Sequence, residues 1–168
     1  MLLSLFSRLS IGIYPYNLSR RLIAIKNYIL SRRFEIMTQS KNGYVHLESP
    51  IYIIGHKYIH YSRFMSKPGL RLECIDFYEG VKFYPSLVIG RNVSFNFRCH
   101  IGVIDSIVIG DNVLIGSNVL ITDHFHGYSN DVDSHTPPIK RNLYSKGPII
   151  IGDNVWIGDN VCVFQELR

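Results

Sequence analysis

The sequence predicts an all-β chain wound as a parallel β-helix, preceded by a helical segment and interrupted by one long protruding loop. Three observations carry this. The pentapeptide Ile-Gly-x-Asn-Val occurs five times, at 89–93, 109–113, 115–119, 151–155 and 157–161. The copies keep a six-residue phase: those at 109 and 115 are six apart, as are those at 151 and 157, and 109 to 151 spans seven sixes. The phase then fails between Ile121 and Ile149 and resumes after it.

A six-residue period describes one flat strand followed by a tight corner. The isoleucine points inward, glycine fits the corner because it has no Cβ to clash, and asparagine tolerates the left-handed backbone that corners need. The valine keeps the wall β-branched. Three strands close a triangular turn of about 18 residues, and successive turns stack through parallel ladders. Phe95, Ile101, Ile121 and Val163 fit the same registers, and Ile53, Ile59 and 70–75 read as earlier, degenerate turns.

The elements fall in order along the chain. Residues 1–40 form an N-terminal segment with a basic amphipathic helix. Within 18–34, Leu22, Ile25 and Ile29 recur at helical spacing, with Arg21, Lys26, Arg32 and Arg33 mostly off that stripe. The helix is expected to pack over one end of the domain. The alternative is peripheral contact of residues 18–34 with an anionic membrane. Residues 43–168 form the repeat domain, with the loop at about 122–148.

Composition narrows the classes. Of 168 residues, 46% are hydrophobic and 18% charged, unlike a disordered chain. No apolar run is long enough to span a bilayer, and Arg8 inside the first apolar stretch argues against a secretory signal. The net charge of +5 resides in residues 1–40, which hold six basic residues and one acidic; the remainder has twelve of each. A neutral body argues against nucleic acid as a partner. Cys74, Cys99 and Cys162 form no metal or redox motif and read as reduced, mostly buried thiols of a cytoplasmic protein.

The loop concentrates the chemistry. It opens with Asp123-His124-Phe125-His126-Gly127 and holds three of the seven histidines. A long loop inside a compact repeat is commonly functional, and imidazole suits proton transfer near neutral pH. The run from Ile109 to Val119, this loop opening and the run from Gly147 to Gly158 together resemble the hexapeptide-repeat O-acetyltransferases. They are similar to the maltose and galactoside enzymes and most similar to those that acetylate capsule and lipopolysaccharide sugars. The resemblance covers about residues 50–163.

The resemblance implies a left-handed β-helix, a homotrimer with sites between subunits, acetyl-CoA as acyl donor, no metal, and a sugar or polysaccharide-precursor acceptor. It implies a loop histidine as general base on the sugar hydroxyl. His126, eleven residues after Ile115, holds the family's position, and His124 is the second catalytic candidate. Asn96 and Asp123 are the substrate-binding candidates, and Trp156 is the candidate for the acyl-donor cleft. The cysteines are expected to be inert. Such an enzyme would work in the cytoplasm, at the inner face of the membrane.

The sequence departs from the family after 151–168, where further turns usually follow, so the chain reads as shortened at its C-terminus. Two other readings remain: an inactive β-helix remnant or scaffold, and a metal enzyme like the γ-class carbonic anhydrases with His100, His124, His126 and His135 as zinc ligands.

Overall fold

The computed structural model describes residues 16–39, 43–127 and 135–165. One helix, α1 (Tyr16–Met37), precedes a stack of parallel strands. Among the described residues the first sheet has five strands: β1 (Tyr44–Leu47), β4 (Arg63–Ser66), β9 (Val93–Phe95), β12 (Leu114–Ile115) and β17 (Trp156–Ile157). The second has β2 (Ile51–Ile54), β5 (Leu70–Cys74), β10 (His100–Val103), β13 (Leu120–Thr122) and β18 (Cys162–Phe164). The third has β3 (Ile59–Tyr61), β8 (Ser86–Ile89), β11 (Ser106–Ile109) and β16 (Ile149–Ile151). The chain visits first, second and third sheet in turn and then begins again, as a β-helix does.

The repeat explains the stack. Ile109 lies between Ile89 and Ile151, Ile115 between Phe95 and Ile157, and Ile121 between Ile101 and Val163. All except the half-buried Val163 are buried, and so are Val93, Val113 and Val119. Each hexapeptide of the central turns therefore sends two side chains inward, where the period alone indicated one.

The corners are built by the polar letters of the repeat. Asn92, Asn112, Asn118, Asn154 and Asn160 all have positive φ, near 60°. Their amides form ladders, with Asn92 Nδ2 donating to Asn112 Oδ1 (3.0 Å) and Asn112 Nδ2 to Asn154 Oδ1 (3.2 Å). The Asp153 carboxylate accepts the Asp111 N–H at 2.7 Å, and Asp159 accepts that of Ser117 at 2.7 Å. Glycine is required for space: a Cβ on Gly110 would sit 2.3 Å from Asp153 Oδ1 and 2.8 Å from the Gly152 carbonyl carbon.

Two insertions lengthen the turns. A hairpin of β6 (Phe77–Tyr78) and β7 (Val81–Lys82), not foreseen in the sequence, turns through Glu79 and Gly80, both at positive φ. The second lies where the loop was expected. Its neck is an antiparallel pair, β14 (Phe125–His126) with β15 (Leu143–Tyr144), followed by a return to the period at Ile149.

The helix packs over one end of the stack, as expected, but through a different face. The stripe Leu22, Ile25 and Ile29 does not pack on the domain; it is exposed. The buried face is Asn27, Ser31 and Phe34. The reason is the open edge of β1, whose N–H groups need acceptors. Ser49 N–H donates to Asn27 Oδ1 (3.1 Å), Leu47 N–H to Ser31 Oγ (2.9 Å) and Val45 N–H to Glu35 Oε1 (3.4 Å). Side chains four apart on a helix thus meet N–H groups two apart on a strand. Phe34 then caps the core edge-on to Phe64, ring centres 5.9 Å apart.

Candidate functional site

The site grows from the outer face of the second sheet. Alternation puts Arg71, His100 and Leu120 in one register row, with Glu73, Gly102 and Thr122 in the next. The chain leaves β13 through Asp123 and His124. His124 turns back over Gly102: a Cβ there would lie 3.1 Å from His124 Cε1 and 3.2 Å from Thr122 Oγ1.

Asp123 is fully buried. Its Oδ1 accepts the Ile104 N–H and its Oδ2 the Asp105 N–H, both at 2.9 Å. These residues form the corner between β10 and β11, where the chain takes up the two residues beyond three sixes that separate Ile89 from Ile109. Oδ1 also lies 3.1 Å from His124 Nδ1, and Thr122 Oγ1 lies 3.1 Å from the same nitrogen. A carboxylate can only accept, so Nδ1 carries the proton and donates to Asp123. In the neutral tautomer of that ring, Nε2 is the acceptor. Of the His124 side chain, 12% stays exposed.

A second imidazole–carboxylate pair lies on the same sheet face. His100 Nε2 is 2.8 Å from Glu73 Oε2, and Arg71 Nη2 donates to Glu73 Oε1 at 2.7 Å. Burial lowers the His100 pKa most, against the opposing pull of Glu73; the charge of Arg71, and that of His124 whenever it is protonated, lower it further. Burial pushes Glu73 upward, but the hydrogen bonds from Arg71 and His100 outweigh it and hold its carboxyl below the ordinary value.

The other expected residues lie apart from this pair of pairs. His126 is exposed on β14, its ring 5.6 Å from and nearly perpendicular to that of Tyr78 on the hairpin. The Tyr78 hydroxyl donates to the Ile139 carbonyl at 2.5 Å and so ties hairpin to loop. Asn96 stands where the repeat has glycine, at the corner between β9 and β10, and its carbonyl accepts from Cys99 Sγ at 3.3 Å. Trp156 belongs to the first sheet, opposite Leu114, and is 76% exposed. It shares no sheet with His124. Asp123, expected to meet a substrate, is instead enclosed, with both carboxylate oxygens committed to the backbone. His135 is exposed, while Asp131 and Asp133 lie outside the described residues.

The thiols divide. Burial pushes Cys74 up to about 12, with the Asp123 charge adding to it, and Cys99 up to about 11. Both are held as neutral thiols. Cys162, expected to be buried with them, points outward and is exposed because it occupies an outward position of β18. Among the described residues no group of three or more His, Cys, Asp or Glu side chains is arranged to hold a metal ion.

Sequence reasoning missed Arg71, Glu73, Gly102 and Thr122. The register 71–100–120 would have found them, but the hairpin makes the 71-to-100 step 29 residues against 20 for the next, hiding it from a search for sixes. Compared with protein-family models, with curated proteins and with solved structures, the chain gives no match.

Proposed function

We propose that the chain is an acetyl-CoA-dependent O-acyltransferase acting on a sugar hydroxyl, built as a left-handed β-helix and working as a homotrimer. The observation that carries this is the buried Asp123 holding His124 Nδ1 at 3.1 Å over a glycine floor. A hydroxyl is a weak nucleophile, and a braced neutral imidazole is the group that activates it.

In this reading His124 is the general base, rather than His126. Nε2 takes the hydroxyl proton while the oxygen attacks the thioester carbonyl. The C–S bond then breaks, and the departing thiolate recovers the proton from the imidazolium. Asp123 stabilises that imidazolium and fixes the tautomer, and it never touches the acceptor. Asn96 is the side chain assigned to the developing oxyanion. The exposed Trp156, with the half-exposed Leu114 beside it, offers apolar surface to the acyl donor. Because Trp156 lies on the first sheet while His124 leaves the end of β13 in the second, a complete site would join the Trp156 face of one subunit to the His124 face of its neighbour. The exposed Trp156, Leu114 and Met65 on the first sheet support burial there against another copy.

The test is thioester cleavage by the purified chain with acetyl-CoA and a mixed panel of sugars. Acceptor-dependent release of CoA supports the reading. His124→Ala should lower kcat roughly 10²- to 10⁴-fold with little change in the KM for acetyl-CoA. His126→Ala should cost less than about tenfold, since its ring is exposed and its ring contact among the described residues is with Tyr78. No cleavage with any acceptor would return the chain to the scaffold reading.

A further inference from the structure

The outward face of α1 has no use in the proposed chemistry. Leu18, Leu22, Ile25, Ile29 and Ile36 recur there at spacings of three, four and seven, and all are exposed, Ile29 to 53%. The uncharged polar residues Asn27 and Ser31 are turned inward, to the edge of β1. Four exposed cations border the apolar stripe. At about 100° per residue, Arg21 and Arg32 fall along one margin and Lys26 and Arg33 along the other. The acidic residue of α1, Glu35, is engaged by Arg32 and by the Val45 N–H. Between the helix and the start of β2 lies a cleft of about 310 Å³, lined by Lys26, Ile29, Leu30, Arg33, Pro50 and Ile51. It sets two cations beside an apolar floor.

We propose that α1 lies along the surface of an anionic phospholipid bilayer, its isoleucines in the acyl boundary and its four cations among the phosphates, with a lipid phosphate seated between Lys26 and Arg33. An apolar stripe bordered by cations on both margins is what such an interface selects, because long basic side chains reach the headgroups while their stems stay apolar. A second copy of this face fits worse, since like-facing helices would oppose cation to cation. Among the described residues no helix is long and apolar enough to cross a membrane, so the contact is in the plane of the surface. The placement would bring the coil to a surface where lipid-borne acceptors reside. It does not depend on the proposed acyl transfer, because vesicle binding is read without turnover.

The experiment is co-sedimentation of the full chain with vesicles of phosphatidylcholine alone and of phosphatidylcholine with about one-third phosphatidylserine. Binding should require the anionic lipid and fall steeply as salt is raised to about 0.5 M. Lys26→Gln with Arg33→Gln should weaken it roughly 30-fold, and Ile25→Ser with Ile29→Ser at least about tenfold. Both pairs lie on an exposed face and should keep the wild-type melting temperature. Equal binding to neutral vesicles, no binding at low salt, or variants that bind like wild type would overturn the proposal. So would loss of native mass in the isoleucine variant by light scattering, which would make the face a subunit interface. The salt dependence of the unmodified chain tests the idea even if a variant misfolds.

Discussion

Ser31→Ala should destabilise this protein more than Ile29→Ser does. On hydrophobicity alone the order would be reversed. Ser31 is buried and its Oγ accepts the Leu47 N–H at 2.9 Å while donating to the Asn27 carbonyl at 2.8 Å. Leu47 is fully buried, so the alanine variant leaves its N–H without an acceptor and without access to water. A stranded buried donor costs about 1–3 kcal/mol, set against a helix-propensity gain of a few tenths. With a urea m-value of about 2 kcal/mol/M, the midpoint should fall by roughly 0.5–1.5 M. Ile29 is exposed, and Ile29→Ser should stay within about 0.5 kcal/mol. Asn27→Ala, which takes the acceptor from the half-buried Ser49 N–H, should cost less than Ser31→Ala. The assay is equilibrium urea unfolding followed by far-UV circular dichroism at fixed protein concentration. If Ile29→Ser lowers the midpoint more than Ser31→Ala, the apolar stripe is the packed face and the edge-capping account is wrong.

The coil corners make a sharper contrast. Gly110→Ala should abolish folding or lower the melting temperature by many degrees, since its Cβ would press into the backbone of the next turn, whereas Gly152→Ala, which meets nothing within 4 Å, should be nearly neutral; thermal melts of both decide it. The pH dependence has a definite sign. Folded His100 has its pKa below the ordinary 6.5, so the unfolded chain binds the extra proton and stability should decline as pH falls from about 6.5 towards the folded value. Glu73, held below its ordinary 4.5, adds stability that is present above that value and lost as pH falls through its lower folded one. His100→Gln should flatten the first decline in pH-series melts and leave part of the second. An unchanged first decline would mean that another group titrates there.

The turn-by-turn architecture was legible because its cause is local. Each Ile-Gly-x-Asn-Val carries its own inward side chains, its own corner at positive φ and its own amide for the ladder, so six residues suffice to describe a wall. The position of the loop was legible for the same reason, as the place where that local pattern stops. What tertiary structure decided depends on residues far apart in sequence. Which face of α1 packs was settled by the unpaired N–H groups of β1, and these draw Asn27 and Ser31 inward against their polarity. The role of Asp123 was settled by the Ile104–Asp105 corner, whose two N–H groups lie 18 and 19 residues back along the chain. The pairing of His100 with Glu73 needed a register shifted by the unforeseen hairpin at Glu79 and Gly80. Side-chain alternation is written in neighbouring letters, but a hydrogen bond between turns depends on the length of everything inserted between them.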